Sequence, residues 1–318
     1  MPDTQVHQAL ISEVAASRHE LSAGLLNEAA SISPKYFYDE LGSRLFEAIC
    51  ELDEYQLTRA EAEIFARHGE EIAKTCGAHS VFIDLGAGNC AKAARLLPSL
   101  NPSVYMPVDI SGEFLLAAVT ALKSQFPRLA IRPLIQDFSA GLRLPGGLPQ
   151  NAGKLFFYPG STLGNFAPLA AQRFLGGLAA TGGGLLLGVD LVKDAQVLKA
   201  AYDDALGVTA AFNRNILRNV NRELGSDFNP GEWDHAAFFN AAQSRIEMHL
   251  EARRAVTVRW PGAERAFAAG ERIHTEDSYK FTRESISAML RQAGFGPLSF
   301  WTDAAGGYLV CHAATRRG

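Results

Sequence analysis

The sequence predicts an α/β protein: a doubly wound, mostly parallel sheet closed by an antiparallel hairpin, with a second α+β domain set into it. Three observations carry this. From residue 81 short apolar runs alternate with helical segments; one run ends in an acid and a glycine turn; and the rhythm breaks after Asp190, to resume near residue 283. Buried strands separated by helical patterns of roughly 10–15 residues are the pattern of βαβ units.

Taken in order, segment 43–50 (SRLFEAIC) reads as a helix with Ser43 at its N-cap and Leu45, Phe46 and Ile49 on one face. Segment 58–75 opens on Thr58 with Glu61 three residues later, a capping-box spacing, and continues at helical period. The strand candidates are VFIDL (81–85), VYMPV (104–108), AIRPL (130–134), KLFFY (154–158) and GLLLGVD (184–190), with helices near 91–100, 112–126 and 168–181. Residues 191–283 read as a long polar helical stretch, strand-like alternation over 245–260 and a short strand near 265–269. A helix over 283–293 and strands PLSFWTD (297–303) and GYLVCHAA (307–314) follow, the last two close enough to pair as a hairpin. Residues 61–194 and 284–318 are assigned to the sheet domain, and 1–60 and 195–283 to the second.

Composition excludes several classes. Of 318 residues 47% are hydrophobic and 20% charged, with a net charge of −4, so the chain builds an ordinary core and lacks the basic footprint of a nucleic-acid binder. Cys50, Cys76, Cys90 and Cys311 form no CxxC pair and no disulfide framework, which points to reduced thiols. The first residues lack the apolar core of a signal peptide, and no run approaches the roughly 18 apolar residues of a membrane span. The expectation is a cytoplasmic monomer acting on a small molecule, without nucleic-acid or membrane partners.

The strongest local signal is Val81-Phe82-Ile83-Asp84-Leu85-Gly86-Ala87-Gly88. A buried strand ends in an acid and turns through two glycines, which lets the backbone approach a ligand closely. The third glycine of a dinucleotide fingerprint is missing near Cys90 or Ala91, which counts against a pyrophosphate ligand. The second strand ends in Asp109, placed about 20 residues on to accept from the ribose hydroxyls of an adenosine-type ligand. After the third comes Gln136-Asp137-Phe138, a carboxylate able to accept from an adenine amino group beside a ring able to stack on the base.

This ordered set resembles the Rossmann-like sheet of class I methyltransferases. The resemblance implies S-adenosylmethionine, held by Gly86, Gly88, Asp109, Asp137 and Phe138, with Lys92 reaching the methionine carboxylate. No metal is expected.

Further segments narrow the resemblance: Lys35-Tyr36-Phe37-Tyr38-Asp39, Glu54-Tyr55 with Thr58-Arg59-Ala60-Glu61, Pro159-Gly160-Ser161-Thr162-Leu163-Gly164-Asn165, Ala201-Tyr202-Asp203-Asp204, Phe212-Asn213-Arg214-Asn215, and Ile273-His274-Thr275-Glu276-Asp277-Ser278-Tyr279-Lys280-Phe281. From about residue 30 to the end the chain resembles the histidine Nα-methyltransferase family, whose members trimethylate L-histidine to hercynine on the way to ergothioneine. That implies Tyr55, Asn165 and Tyr202 around the amino acid, the latter two near its amino and carboxylate groups. It implies Glu276 and Ser278 at the imidazole, Tyr38 closing over the methionine part of the cofactor, and Phe212 and Met248 as pocket wall. Tyr38, Asn165 and Tyr202 would act catalytically by aligning the amine with the sulfonium methyl. His274 is read as an exposed loop histidine.

The chain departs from the family at Gln56-Leu57, where Tyr-Pro is common, and at Asp277. A related branch methylates tryptophan derivatives, so the same chemistry on tryptophan or a histidine derivative is an alternative acceptor reading. From other classes, a nucleotide-dependent oxidoreductase and a non-catalytic S-adenosylmethionine sensor stay open.

Overall fold

In the computed structural model the described residues are 2–139, 141–148 and 153–315, with side chains from residue 14 onward. The chain forms two compact units: Met1–Ile49 with Lys199–Phe239 and Ile246–Glu276, and Cys50–Leu198 with Asn240–Arg245 and Asp277–Gly318.

The second of these holds an eight-stranded sheet among the described residues. Its strands are β1 (Val81–Leu85), β2 (Val104–Asp109), β3 (Ala130–Ile131), β4 (Leu134–Ile135), β5 (Lys154–Tyr158) and β6 (Gly184–Asp190). Its last two are β12 (Phe295–Thr302) and β13 (Tyr308–Thr315). The order is β12-β13-β6-β5-β1-β2-β3, with β4 also on β2. Pairing is parallel from β6 to β3 and antiparallel where β13 meets β6 and β12, so the expected terminal hairpin is present. β1 and β6 are buried along their whole length, as central strands covered on both faces must be.

The predicted third strand is broken in two. Pro133 lies between β3 and β4, and a proline offers the ladder no N–H. The connecting helices are α3 (Leu57–Cys76), α4 (Ala91–Leu100), α5 (Gly112–Gln125), α6 (Pro168–Ala180), α7 (Ala195–Ala200) and α9 (Arg283–Gln292). α3 packs on β13 and α4, and α6 packs on α9.

The capping box expected at Thr58 is absent. α3 begins at Leu57, Gln56 precedes it without a side-chain cap, and Glu61 turns inward instead.

The other unit contains α1 (Pro2–Leu26), α2 (Glu40–Cys50) and α8 (Val208–Leu224), with strands β7 (Trp233–Asn240), β8 (Arg245–Ala252), β9 (Val256–Trp260), β10 (Ala263–Phe267) and β11 (Arg272–Tyr279). β11-β8-β7 form one sheet and β9-β10 a hairpin; the residues ending β7, β8 and β11 at one side group with the second unit. The long polar helix predicted after Asp190 is the pair α7 and α8, while β7 and β11 were not read as strands. α2 starts three residues earlier than Ser43, which is buried inside it. The preceding Asp39 supplies the cap: its Oδ1 accepts from Gly42 N at 2.8 Å.

Candidate active site

The turn after β1 takes positive φ at Gly86 (72°) and Gly88 (52°), which a side chain would resist. A Cβ at Gly88 would meet nothing within 4 Å, and one at Gly86 only Thr162 Cγ2 at 4.0 Å, so the space over the turn is open. Asp109, at the end of β2, fixes this cradle. Its Oδ2 accepts from Gly88 N at 2.8 Å and its Oδ1 from Ser111 N at 2.9 Å. Ile110 N is a third backbone donor to this carboxylate, which still has acceptor capacity for a ribose hydroxyl. Burial pushes the Asp109 pKa up, against the pull of those backbone donors.

Asp84 points into the sheet. It is 1% exposed, accepts from Tyr105 Oη at 2.7 Å, and burial raises its pKa to about 7. Asp137 caps its own turn, accepting from Ser139 N at 2.9 Å. The Phe138 ring stands edge-on to Tyr158 and tilted against Phe174.

Lys92 has a partner that its sequence context does not announce. Its Nζ lies 2.7 Å from Glu61 Oε2, while Glu61 Oε1 accepts from Gly160 N at 2.9 Å and from Tyr308 Oη at 2.7 Å. One buried carboxylate thus ties the first helix after the glycine turn to the loop after β5. Glu61 and Asp109 set two acids against one lysine around this turn, while burial holds the Asp84 pKa up at about 7. That balance suits a ligand carrying a sulfonium and an ammonium together with one carboxylate. The residues present therefore fit S-adenosylmethionine.

The Pro159–Asn165 loop is pinned along its length. Ser161 sits at φ 59° and its Oγ accepts from Asp190 N at 2.9 Å; the backbone closes a 3₁₀ turn over Thr162–Asn165. A Cβ on Gly164 would come within 2.8 Å of Tyr279 O, so only glycine lets the two backbones touch. Asn165 ends this turn. On β11, Ser278 Oγ accepts from Lys280 Nζ at 2.9 Å, and Lys280, with a fully buried side chain, pairs with Asp190 at 3.0 Å. Tyr55 is buried in the short link between α2 and α3.

In the other unit Tyr38 follows the 3₁₀ turn Pro34–Phe37 and stands edge-on to Phe46 and Phe212, each 5.9 Å away. α8 holds this segment by its asparagines: Asn215 Nδ2 donates to Asp39 Oδ1 at 2.8 Å and Asn219 Nδ2 to Tyr36 O at 2.7 Å. Asn213 instead reaches β7 and β8, meeting His235 Nδ1 and donating to His249 O. The Phe212–Asn215 motif is thus partly scaffolding.

Tyr202 is buried, and its carbonyl faces His235 Nε2 at 2.8 Å. Glu276 and Ser278, two apart on β11, share one strand face and are 7% and 3% exposed. Met248 is buried on β8, on the face opposite its neighbours Glu247 and His249.

His274 is not on a loop. It lies within β11, its ring edge-on to His249 at 5.1 Å. Glu247, His249 and His274 form a cluster that the sequence reading missed, because i, i+2 spacing on one strand with a partner on the next shows only once the strands are paired.

A family model described as histidine-specific methyltransferase, SAM-dependent, matches residues 17–315. The chain is 41% identical to a histidine N-alpha-methyltransferase of Mycolicibacterium smegmatis over 93% of its own length and 94% of the relative's. It is 40% identical to the protein of that name from Mycobacterium tuberculosis, over 94% and 95%. An ergothioneine biosynthesis protein 1 of Neurospora crassa is 29% identical over 83% of this chain and 31% of its own. No helix among the described residues is long and apolar enough to cross a membrane. With a family match spanning nearly the whole chain and two relatives at 40% identity or more, this protein belongs to the histidine-specific, S-adenosylmethionine-dependent methyltransferases.

Proposed function

We propose that the chain trimethylates the α-amino group of L-histidine to hercynine, using S-adenosylmethionine. The observation that carries the acceptor reading is the buried pair on β11: a carboxylate and a hydroxyl, two residues apart on one face, as the two nitrogens of an imidazole require. Glu276 accepts from one ring N–H and Ser278 addresses the other nitrogen. An apolar side chain would offer neither group a hydrogen bond, which discriminates against it.

S-adenosylmethionine, when bound, supplies an electrophilic methyl group. Gly86, Gly88, Asp109, Asp137 and Phe138 hold its nucleoside, and Lys92 and Tyr38 its methionine part. Tyr55, Asn165 and Tyr202 hold the amino acid, with Met248 and Phe212 as apolar wall. Asn165 and Tyr202 are neutral, so they orient the amine without locking its lone pair in an ion pair. Rate then comes from alignment and from exclusion of water. Cys50, Cys76, Cys90 and Cys311 form no disulfide, in keeping with a cytoplasmic enzyme.

Calorimetric titration of the S-adenosylhomocysteine-loaded protein with single amino acids tests the acceptor. Strong heat with histidine is expected; none with histidine alongside strong heat with tryptophan overturns the choice.

A further inference from the structure

The geometry points to a divalent-metal site formed by Glu247, His249 and His274 on one face of the β8–β11 pair. Their ligand atoms all lie within 4.8 Å of one another. Glu247 and His249 sit at i and i+2 of β8, so both leave the same face, and His274 joins them from the neighbouring strand. Paired strands hold such a triangle rigidly, and side-chain rotation alone closes it.

The Glu247 Oε2 to His249 Nε2 separation is 3.1 Å. With zinc–ligand bonds of about 2.0–2.1 Å, a tetrahedral site has edges of roughly 3.3 Å, so this edge is already formed. The third requires the His274 ring to swing inward by roughly 1.5 Å. The His249 ring is fixed in advance, lying nearly parallel (9°) to Phe238 at 5.2 Å. Its Nε2 is the nitrogen that meets Glu247, and its Nδ1 is buried without a hydrogen-bond partner among the described residues.

Charge favours a cation. Glu247 brings a carboxylate, Glu276 shares the β11 face two residues from His274, and the nearby Arg272 is paired with Glu251 at 2.8 Å. Two imidazoles and one carboxylate select zinc, cobalt or nickel over magnesium or calcium, which want oxygen-only shells. Three protein ligands leave a fourth position for water. Bound there, the ion clips β8 to β11.

The three ligands are not among the residues assigned to the acceptor, although Glu276 lies two residues from His274. The test uses untagged, chelator-stripped full-length protein without added histidine, which would itself bind metal. Zinc chloride is titrated calorimetrically and cobalt chloride by visible absorption. One equivalent of zinc, a tetrahedral cobalt spectrum and a melting temperature raised by several degrees are expected. Affinity should fall at least ~10-fold in each of His249→Phe, His274→Leu and Glu247→Gln. Melts of the stripped variants show which of them fold, and the partly exposed His274 keeps the test alive if a buried substitution does not. Absence of zinc binding, or binding undiminished in the folded variants, leaves only a hydrogen-bonded Glu–His pair and overturns the site.

Discussion

Glu61 is 1% exposed and engages Lys92, Gly160 and Tyr308 with one carboxylate. Glu61→Gln keeps the shape and removes the charge. It should cost roughly 1–3 kcal/mol of stability and weaken S-adenosylhomocysteine binding, because Lys92 and the loop after β5 lose their common anchor. Thermal melts and a cofactor titration check this; a variant unchanged in both would show that the contact is incidental. Glu276→Ala should weaken histidine binding by about tenfold to a hundredfold and leave S-adenosylhomocysteine binding nearly intact, whereas equal losses would contradict its place at the imidazole. Glycine turn, ribose acid and strand ends are legible in sequence because each acts through its own local backbone. Spacing alone makes Glu61 a capping residue, because it says nothing of a partner 99 or 247 residues away.

Among elements, the parallel strands were the most legible, since strands buried on both faces leave unbroken apolar runs such as Gly184–Asp190. β7 and β11 were not, because their faces mix charged, polar and apolar residues and blur the alternation. The start of α2 depends on a close approach that sequence cannot display: a Cβ on Gly42 would lie 1.7 Å from Phe37 O. Gly42→Ala should therefore cost about 3 kcal/mol or more, read by urea unfolding, and an unchanged midpoint would contradict the packing.

β13 carries a pH-dependent element in His312, whose pKa burial lowers from 6.5 to about 4, with His79 adding to the effect. The folded chain thus binds this proton less readily than the unfolded one. Its contribution is whole above about pH 6.5 and is lost as pH falls toward 4. The loss is roughly 3 kcal/mol, and unfolding of His312→Leu should lack that portion of the acid slope. An identical slope in the variant would assign it elsewhere.

For the whole molecule, the sheet supports the cofactor reading and the remaining segments support the acceptor reading. The first follows from backbone geometry shared by many sequences. The second depends on scattered side chains, which is why the family resemblance, rather than periodicity, carried Tyr38, Tyr202, Glu276 and Ser278. Gln56, Leu57 and Asp277 depart from the family pattern, and Asp277 pairs with Arg245 at 2.9 Å. The central claim is tested most directly by mass spectrometry of L-histidine incubated with the protein and S-adenosylmethionine. Three successive methyl additions, ending at hercynine, are predicted. Unmodified histidine, in a sample where tryptophan is methylated or where cofactor binds without turnover, would contradict it.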